Sequence, residues 1–353
     1  MSSVHADENR GKPKLSICIA TYNRGRFIGE TLDSIVGQLN DQVELIVVDG
    51  ASPDNTEEVM RQYFDRYPQI NYVRESENSG VDCDYDKAVG YATGLYCWLM
   101  TDDDLLVPGA ISRVCDFLDG TRDLVIVNAE VRSADFSRVL HPSRLKIESD
   151  RNYDSGERSK CFSETASCLS FIGGVVIRRD FWLERDRESY YGTLFIHVGV
   201  IFQNPPIENV TVISDPLIRI RYGNAMWSAR GFEIWMFKWP ELIWSFDDFD
   251  DVAKKDVCPR HPWKNIKALA FYRGVGGFSI REYRKYLADK ATGLARFRAF
   301  AIAIAPAWLV NSMASIYILF FNTKARSEAY DLSRCMHSTW VSRSVANKLR
   351  VRG

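Results

Sequence analysis

Three adjacent carboxylates, Asp102, Asp103 and Asp104, follow the apolar run Tyr96–Met100. Like charges packed at the end of a buried segment repel one another and resist desolvation, so the arrangement calls for a positive partner. A helix N-terminus, which the following residues 105–118 resemble, would account for one of the three. A hard divalent cation, Mn²⁺ or Mg²⁺, would account for more. Mg²⁺ is commonly held by one or two carboxylates together with substrate phosphates, which makes a metal with a diphosphate the expected chemistry. Two other short stretches end apolar runs with reactive types: Thr21, Tyr22 and Arg24 in "TYNR", and Asp49 in "DGAS".

The elements that must position these residues are legible in the hydrophobic pattern. Residues 15–20, 43–48, 70–74 and 96–100 are short apolar, β-branched-rich runs without polar alternation, which predicts strands covered on both faces. Residues 26–38, 54–67 and 85–92 carry helical spacing between them. The alternation predicts an α/β class, a doubly wound, mostly parallel sheet. Ligands of such sheets bind beyond the carboxyl ends of the strands, where all three stretches would meet. Further strands are expected at 124–128 and 171–182, with Gly173 and Gly174 marking a bulge or a close backbone approach. Residues 132–159 read as an irregular loop, and the chain beyond Ile213 as mostly helical.

Composition narrows the partners. Across 353 residues, 45 Lys and Arg stand against 46 Asp and Glu, a net charge of −1 that gives no global argument for nucleic-acid binding. The eight cysteines form no C-x-x-C pair and read as buried thiols. The polar N-terminus lacks the apolar core of a signal peptide, so the chain is expected to begin in the cytosol, with residues 1–14 as a disordered tail. Residues 299–321 carry no charge and are flanked by Arg296, Arg298, Lys324 and Arg326. Their length suits a bilayer, but Pro306, Asn311, Ser312 and Ser315 argue against a simple span. The segment 296–324 is expected to associate with a membrane as an interfacial or re-entrant helix, a buried helix being the alternative.

The stretches "SICIATYNR" (16–24), "ELIVVDGASPDNT" (44–56), "ENSG" (77–80), "AVGYATGLYCWLMTDDD" (88–104) and "PGAI" (108–111), in that order, resemble the inverting nucleotide-sugar glycosyltransferases of family 2 with the GT-A fold. The rest of the chain is more loosely similar to the abequosyltransferase type of bacterial surface-polysaccharide enzymes. The resemblance implies a GT-A domain over 15–228, with a donor-nucleotide half at 15–111 and an acceptor half and lid at 112–228, followed by a helical C-terminal extension at 229–353. It implies donor contacts from Thr21, Tyr22, Arg24 and Asp49. Asp102 would serve the sugar–ribose side and Asp103 the metal, Asp104 being the least defined ligand. Thr101 departs from the common D-x-D-D pattern at its first position. Asp86 and Lys87 are read as donor-binding, while Asp82 and Asp84 fit a solvated helix face equally well.

Inversion needs a base for the acceptor hydroxyl. The acidic pair that many relatives use is missing, and His197, the single residue of the apolar run 190–202 whose ordinary pKa lies near neutral, stands roughly in its place. It is read as the catalytic base, with a metal ligand and a core histidine as alternatives. Residues 216–235 are read as a lid whose Arg221 clamps the diphosphate, with Trp227 beside it. The implied activity is transfer of a sugar, UDP-linked by preference, to a saccharide carried on a polyprenyl diphosphate. It would serve O-antigen or capsule assembly at the cytoplasmic face of the membrane. A sugar-phosphate nucleotidyltransferase or a non-catalytic sugar-nucleotide module are the competing readings. "TYNRGRF" has too few glycines for the former, and a dehydrogenase is disfavoured because no G-x-G-x-x-G follows the first strand.

Overall fold

The computed structural model describes residues 12–224 and 230–351. They divide into two compact units: residues up to Glu130 with Ser143–Ile220, and Val131–Pro142 with the described residues from Arg221 onward.

In the first unit, strands β1 (Leu15–Thr21), β2 (Val43–Asp49), β3 (Ile70–Arg74) and β4 (Tyr96–Met100) alternate with helices α1 (Ile28–Val36), α2 (Thr56–Phe64) and α3 (Val81–Tyr91). The four strands run parallel in the order β3-β2-β1-β4. β1 and β4 are buried along their whole length, as strands covered on both faces must be. Ile17 and Ile19 pack with Ile28, Leu32 and Ile35 of α1 in one continuous core. α3 begins at Val81, four residues before the apolar spacing predicts, because Gly80 supplies a positive φ of 91° just ahead of it.

The sheet then changes sense. Beyond β5 (Leu105–Leu106) come β6 (Leu124–Arg132), β7 (Val139–His141), β8 (Arg151–Tyr153), β9 (Val175–Arg178) and β10 (Val210–Arg221). β9 pairs antiparallel with both β4 and β6. The close approach expected at the glycine pair is real: a Cβ on Gly174 would lie 2.9 Å from the Val127 carbonyl oxygen. Two expectations are corrected. Residues 132–159 contain β7, which folds back on β6, and β8, which pairs with the distant β10, and the chain stays in β10 for eight residues past Ile213.

The second unit is mostly helical around an aromatic core that includes Phe232, Phe237, Trp263, Phe278 and Tyr283. Two of its helices, Gly293–Ile304 and Ala307–Phe321, meet at Pro306 with a bend of 110°. No single described helix is long and apolar enough to cross a membrane.

Candidate active site

The parallel register sets the site. Thr21 and Asp49 are paired neighbours at the ends of β1 and β2, and Met100 stands opposite Ile19 on β4, so the three reactive stretches leave the sheet at one rim. Asp49 is fully buried; its Oδ1 accepts from the Ser52 amide at 2.8 Å and its Oδ2 from the Tyr72 hydroxyl at 2.6 Å. Arg74, its partner across β3, lies 3.8 Å away. The loop after β1 is tied to the loop after β2. Asn23 N–H donates to Ser52 Oγ (2.9 Å), Arg24 N–H to Thr56 Oγ1 (3.1 Å) and Gly25 N–H to Asp54 Oδ2 (2.9 Å). Gly25 is required here, since a Cβ would lie 2.3 Å from Asn55 Oδ1 and 2.9 Å from the Thr56 amide.

That bracing holds Arg24 against the acidic step. Its guanidinium is 3.5 Å from Asp102 Oδ1 and 3.5 Å from Asp103 Oδ2. Burial first, and the Asp103 charge second, push the Asp102 carboxyl up to about 7, with the Arg24 charge opposing both. Tyr85 lies under the step, donating its hydroxyl to the Met100 carbonyl at 3.0 Å. The three carboxylates do not act alike. Asp104 is buried and accepts from Thr101 Oγ1 at 2.5 Å, so the threonine at the variant position secures the third aspartate. Asp102 and Asp103 are the two of the three carboxylates that face the Arg24 guanidinium. No group of three His, Cys, Asp or Glu side chains among the described residues could hold a metal by itself. Two carboxylates, one with a strongly raised pKa, fit an ion completed by a diphosphate rather than one held by protein alone.

Other expected site residues are placed differently. Asp82 and Asp84, read as equally suited to a solvated face, are buried. Asp82 accepts from the amides of Leu194 (2.8 Å) and Ile196 (3.2 Å), and Asp84 from Ser79 Oγ (2.7 Å). A Cβ on Gly50 would lie 2.7 Å from Asp84 Oδ2, so Asp84 reaches the residue next to Asp49. Asp86 and Lys87 are engaged within the fold: Asp86 by Trp182 Nε1 (2.8 Å), the Tyr191 hydroxyl (2.5 Å) and Arg187 (2.9 Å), Lys87 by Glu75 (2.8 Å).

His197 requires a correction. The ring is 1% exposed and its Nε2 lies 2.6 Å from the Leu169 carbonyl oxygen. Burial lowers its pKa to about 4, which the Leu169 hydrogen bond only partly offsets. Taking a hydroxyl proton would create an imidazolium with no counter-charge in an apolar interior, so the ring packs the fold rather than serving as a base. The lid reading is also corrected, since residues 216–221 are the end of β10. Arg221 belongs to the second unit, where its guanidinium donates to the Ala134 carbonyl (2.9 Å) and lies 4.2 Å from the Phe136 ring. Trp227 lies outside the described residues.

Sequence reasoning missed Ser52, Tyr72, Arg74 and Tyr85. Arg74 was accessible to it, because counting from aligned strand ends puts Arg74 opposite Asp49.

Residues 16–184, which contain the whole acidic rim, match the family model described as glycosyl transferase family 2. Over that stretch the chain is similar to the family 2 glycosyltransferase domain. Abequosyltransferase RfbV of Salmonella typhimurium is 29% identical over 231 residues, 62% of this chain and 69% of that protein. The minor teichoic acid biosynthesis protein GgaB of Bacillus subtilis is 28% identical over 160 residues, 44% of this chain and 18% of that protein. The S. aureus TarS fragment 1–349, solved in complex with UDP, superposes with a TM-score of 0.51 at 15% identity, covering 96% of this chain and 91% of that one. At that identity the likeness establishes the fold, the GT-A glycosyltransferase architecture, with a helical C-terminal region.

Proposed function

We propose that this glycosyltransferase moves a sugar from a nucleotide-diphosphate donor, UDP-linked by preference, to a hydroxyl of a lipid-linked saccharide at the cytoplasmic membrane face, with inversion. The reading rests on one observation: Asp49, Arg24, Asp102 and Asp103 share the carboxyl rim of a parallel sheet. Asp49 is held rigid by Ser52 and Tyr72, and each of its oxygens keeps a further lone pair for a nucleobase N–H. Tyr22 and Thr21 border that position. Arg24 supplies fixed positive charge to the diphosphate side.

Asp103, with Asp102, would hold Mn²⁺ or Mg²⁺ together with the donor. When bound, such an ion neutralises charge on the departing diphosphate. The chain's own residues orient the donor: the loop 21–25, braced to Asp54 and Thr56, fixes Arg24, and Thr101 holds Asp104. Names of relatives such as RfbV and GgaB support a surface-polysaccharide acceptor. The apolar surface of the two helices flanking Pro306 supports a membrane-held one.

A thermal-shift screen of UDP, GDP and CDP with and without Mn²⁺ tests the donor half, because a ligand of the native state raises its stability. Stabilisation by UDP that grows with Mn²⁺ is expected. No stabilisation by any nucleoside diphosphate would overturn the proposal.

A further inference from the structure

In the second unit a cleft of 520 Å³ opens between the helix Trp239–Ser245, the turn Pro262–Lys264 and the start of the helix Gly293–Ile304. Its walls are aromatic and its charges positive. Arg260 lies 5.2 Å from the Trp244 ring centroid, Lys264 5.4 Å from Trp263 and Lys290 5.0 Å from Phe237. None of the three cations makes an ion pair among the described residues, and Glu241 is the one carboxylate on the lining. His261, also on the lining, is held below the usual imidazole range by burial and then by Lys264, Arg260 and Lys290. Positive charge without a counter-ion in a concave wall attracts an anion, and a guanidinium fork suits phosphate oxygens. The indole faces between the cations offer a flat apolar platform.

What borders the cleft specifies the ligand further. Thr292 and Ala295, at the first turn of the helix Gly293–Ile304, form part of the lining, and their neighbours Leu294 and Phe297 are exposed. From there an apolar face continues through Phe300, Ile304 and Trp308. Between Arg281 and Arg350 the sequence carries twelve Lys and Arg against four Asp and Glu, in a chain whose net charge is −1. A free sugar phosphate would need the charges and the platform but not the greasy margin. An acceptor with phosphate at its head and a hydrocarbon tail uses all three.

We infer that this cleft is a second ligand site, which holds the phosphate-bearing head of a lipid-linked saccharide on Arg260, Lys264 and Lys290, with its sugar against Trp244 and its tail along the exposed helix face. The inference deepens the acceptor half of the proposed function and rests on it.

The test uses the full chain with three vesicle preparations: phosphatidylcholine alone, phosphatidylcholine with a polyprenyl phosphate, and phosphatidylcholine with phosphatidylglycerol at equal charge. Binding to polyprenyl phosphate vesicles at least about tenfold tighter than to phosphatidylglycerol vesicles is expected, with inorganic pyrophosphate competing. Lys264→Glu combined with Lys290→Glu should cost at least about tenfold, since each basic side chain near an anionic surface contributes a factor of roughly five. Lys264→Gln with Lys290→Gln should show a smaller loss in the same direction, which separates lost charge from lost fold. Equal binding to the two anionic vesicles, or full retention by the double variants, overturns the site. Glucose 1-phosphate in solution binding as tightly as the vesicles overturns the lipid source. UDP binding by the unaltered chain is measured in parallel. A chain that binds UDP but does not discriminate the polyprenyl phosphate refutes this inference alone, whereas one that binds no nucleoside diphosphate refutes the proposed function.

Discussion

The acidic rim of the first unit and the bent helix pair of the second invert each other. At the rim, apolar strands are buried and polar side chains collect where the strands end, as the hydrophobic effect requires of a covered sheet. In the helix Ala307–Phe321 the polar Asn311 and Ser315 are buried with Ala307 and Ile318, while Trp308, Met313, Phe320 and Phe321 are exposed, Phe321 by 76%. Asn311 Nδ2 donates to the carbonyls of Gly274 (3.2 Å) and Leu332 (2.9 Å), which explains why an amide sits on the inner face. The lesson is that the helix pair departs from the burial rule that the rim obeys. Large apolar side chains turned outward at helical spacing mark a surface that burial elsewhere in the chain does not satisfy.

The largest effect that would sharpen this contrast lies at the rim. Asp103→Ala should lower the transfer rate by about a thousandfold, the scale of removing a group that stabilises transition-state charge. Its melting temperature should change little, because Arg24 keeps Asp102 as a partner. A kinetic assay with circular dichroism on the same sample checks both, and wild-type turnover in the variant would dissolve the site.

On the opposite face, Phe320→Asp with Phe321→Asp should weaken binding to anionic vesicles by tenfold or more, because each exposed ring would add about 2 kcal/mol of burial at an interface. Co-sedimentation measures it. If both proteins partition alike, the outward apolar surface has another purpose.

His197→Ala should act on stability rather than chemistry. Loss of the Leu169 hydrogen bond and of a buried ring is expected to cost about 1–3 kcal/mol of unfolding free energy. Chemical denaturation read beside kcat decides the matter: a fall in kcat at unchanged stability would restore the histidine as the base.

A further test is a pH slope in the second unit. Asp331, buried and bound by the Tyr222 hydroxyl at 2.7 Å, is pushed up to about 7 by burial first, with Glu328 adding to the rise. A carboxyl raised on folding holds its proton longer in the native state, so its contribution to stability falls as pH rises from about 4 to about 7 and is level above. Asp331→Asn should flatten that part of the melting-temperature profile. An unaltered slope would assign it to other groups.

The amino-acid sequence by itself determined the four parallel strands, their helices and the convergence of Thr21, Asp49 and Asp102–Asp104, because these follow from local apolar periodicity and from where it stops. The rare polar types inside apolar runs were legible as exceptions, but their meaning was not. His197 and Asn311 look alike in sequence, each a polar residue in a greasy stretch. Tertiary structure alone gave both of them backbone carbonyls as partners, assigned Asp86 to Trp182 and Tyr191, and kept Arg221 in a strand. Those outcomes depend on which distant segments pack together, and pairing across a sheet or between helices leaves no periodic trace along the chain.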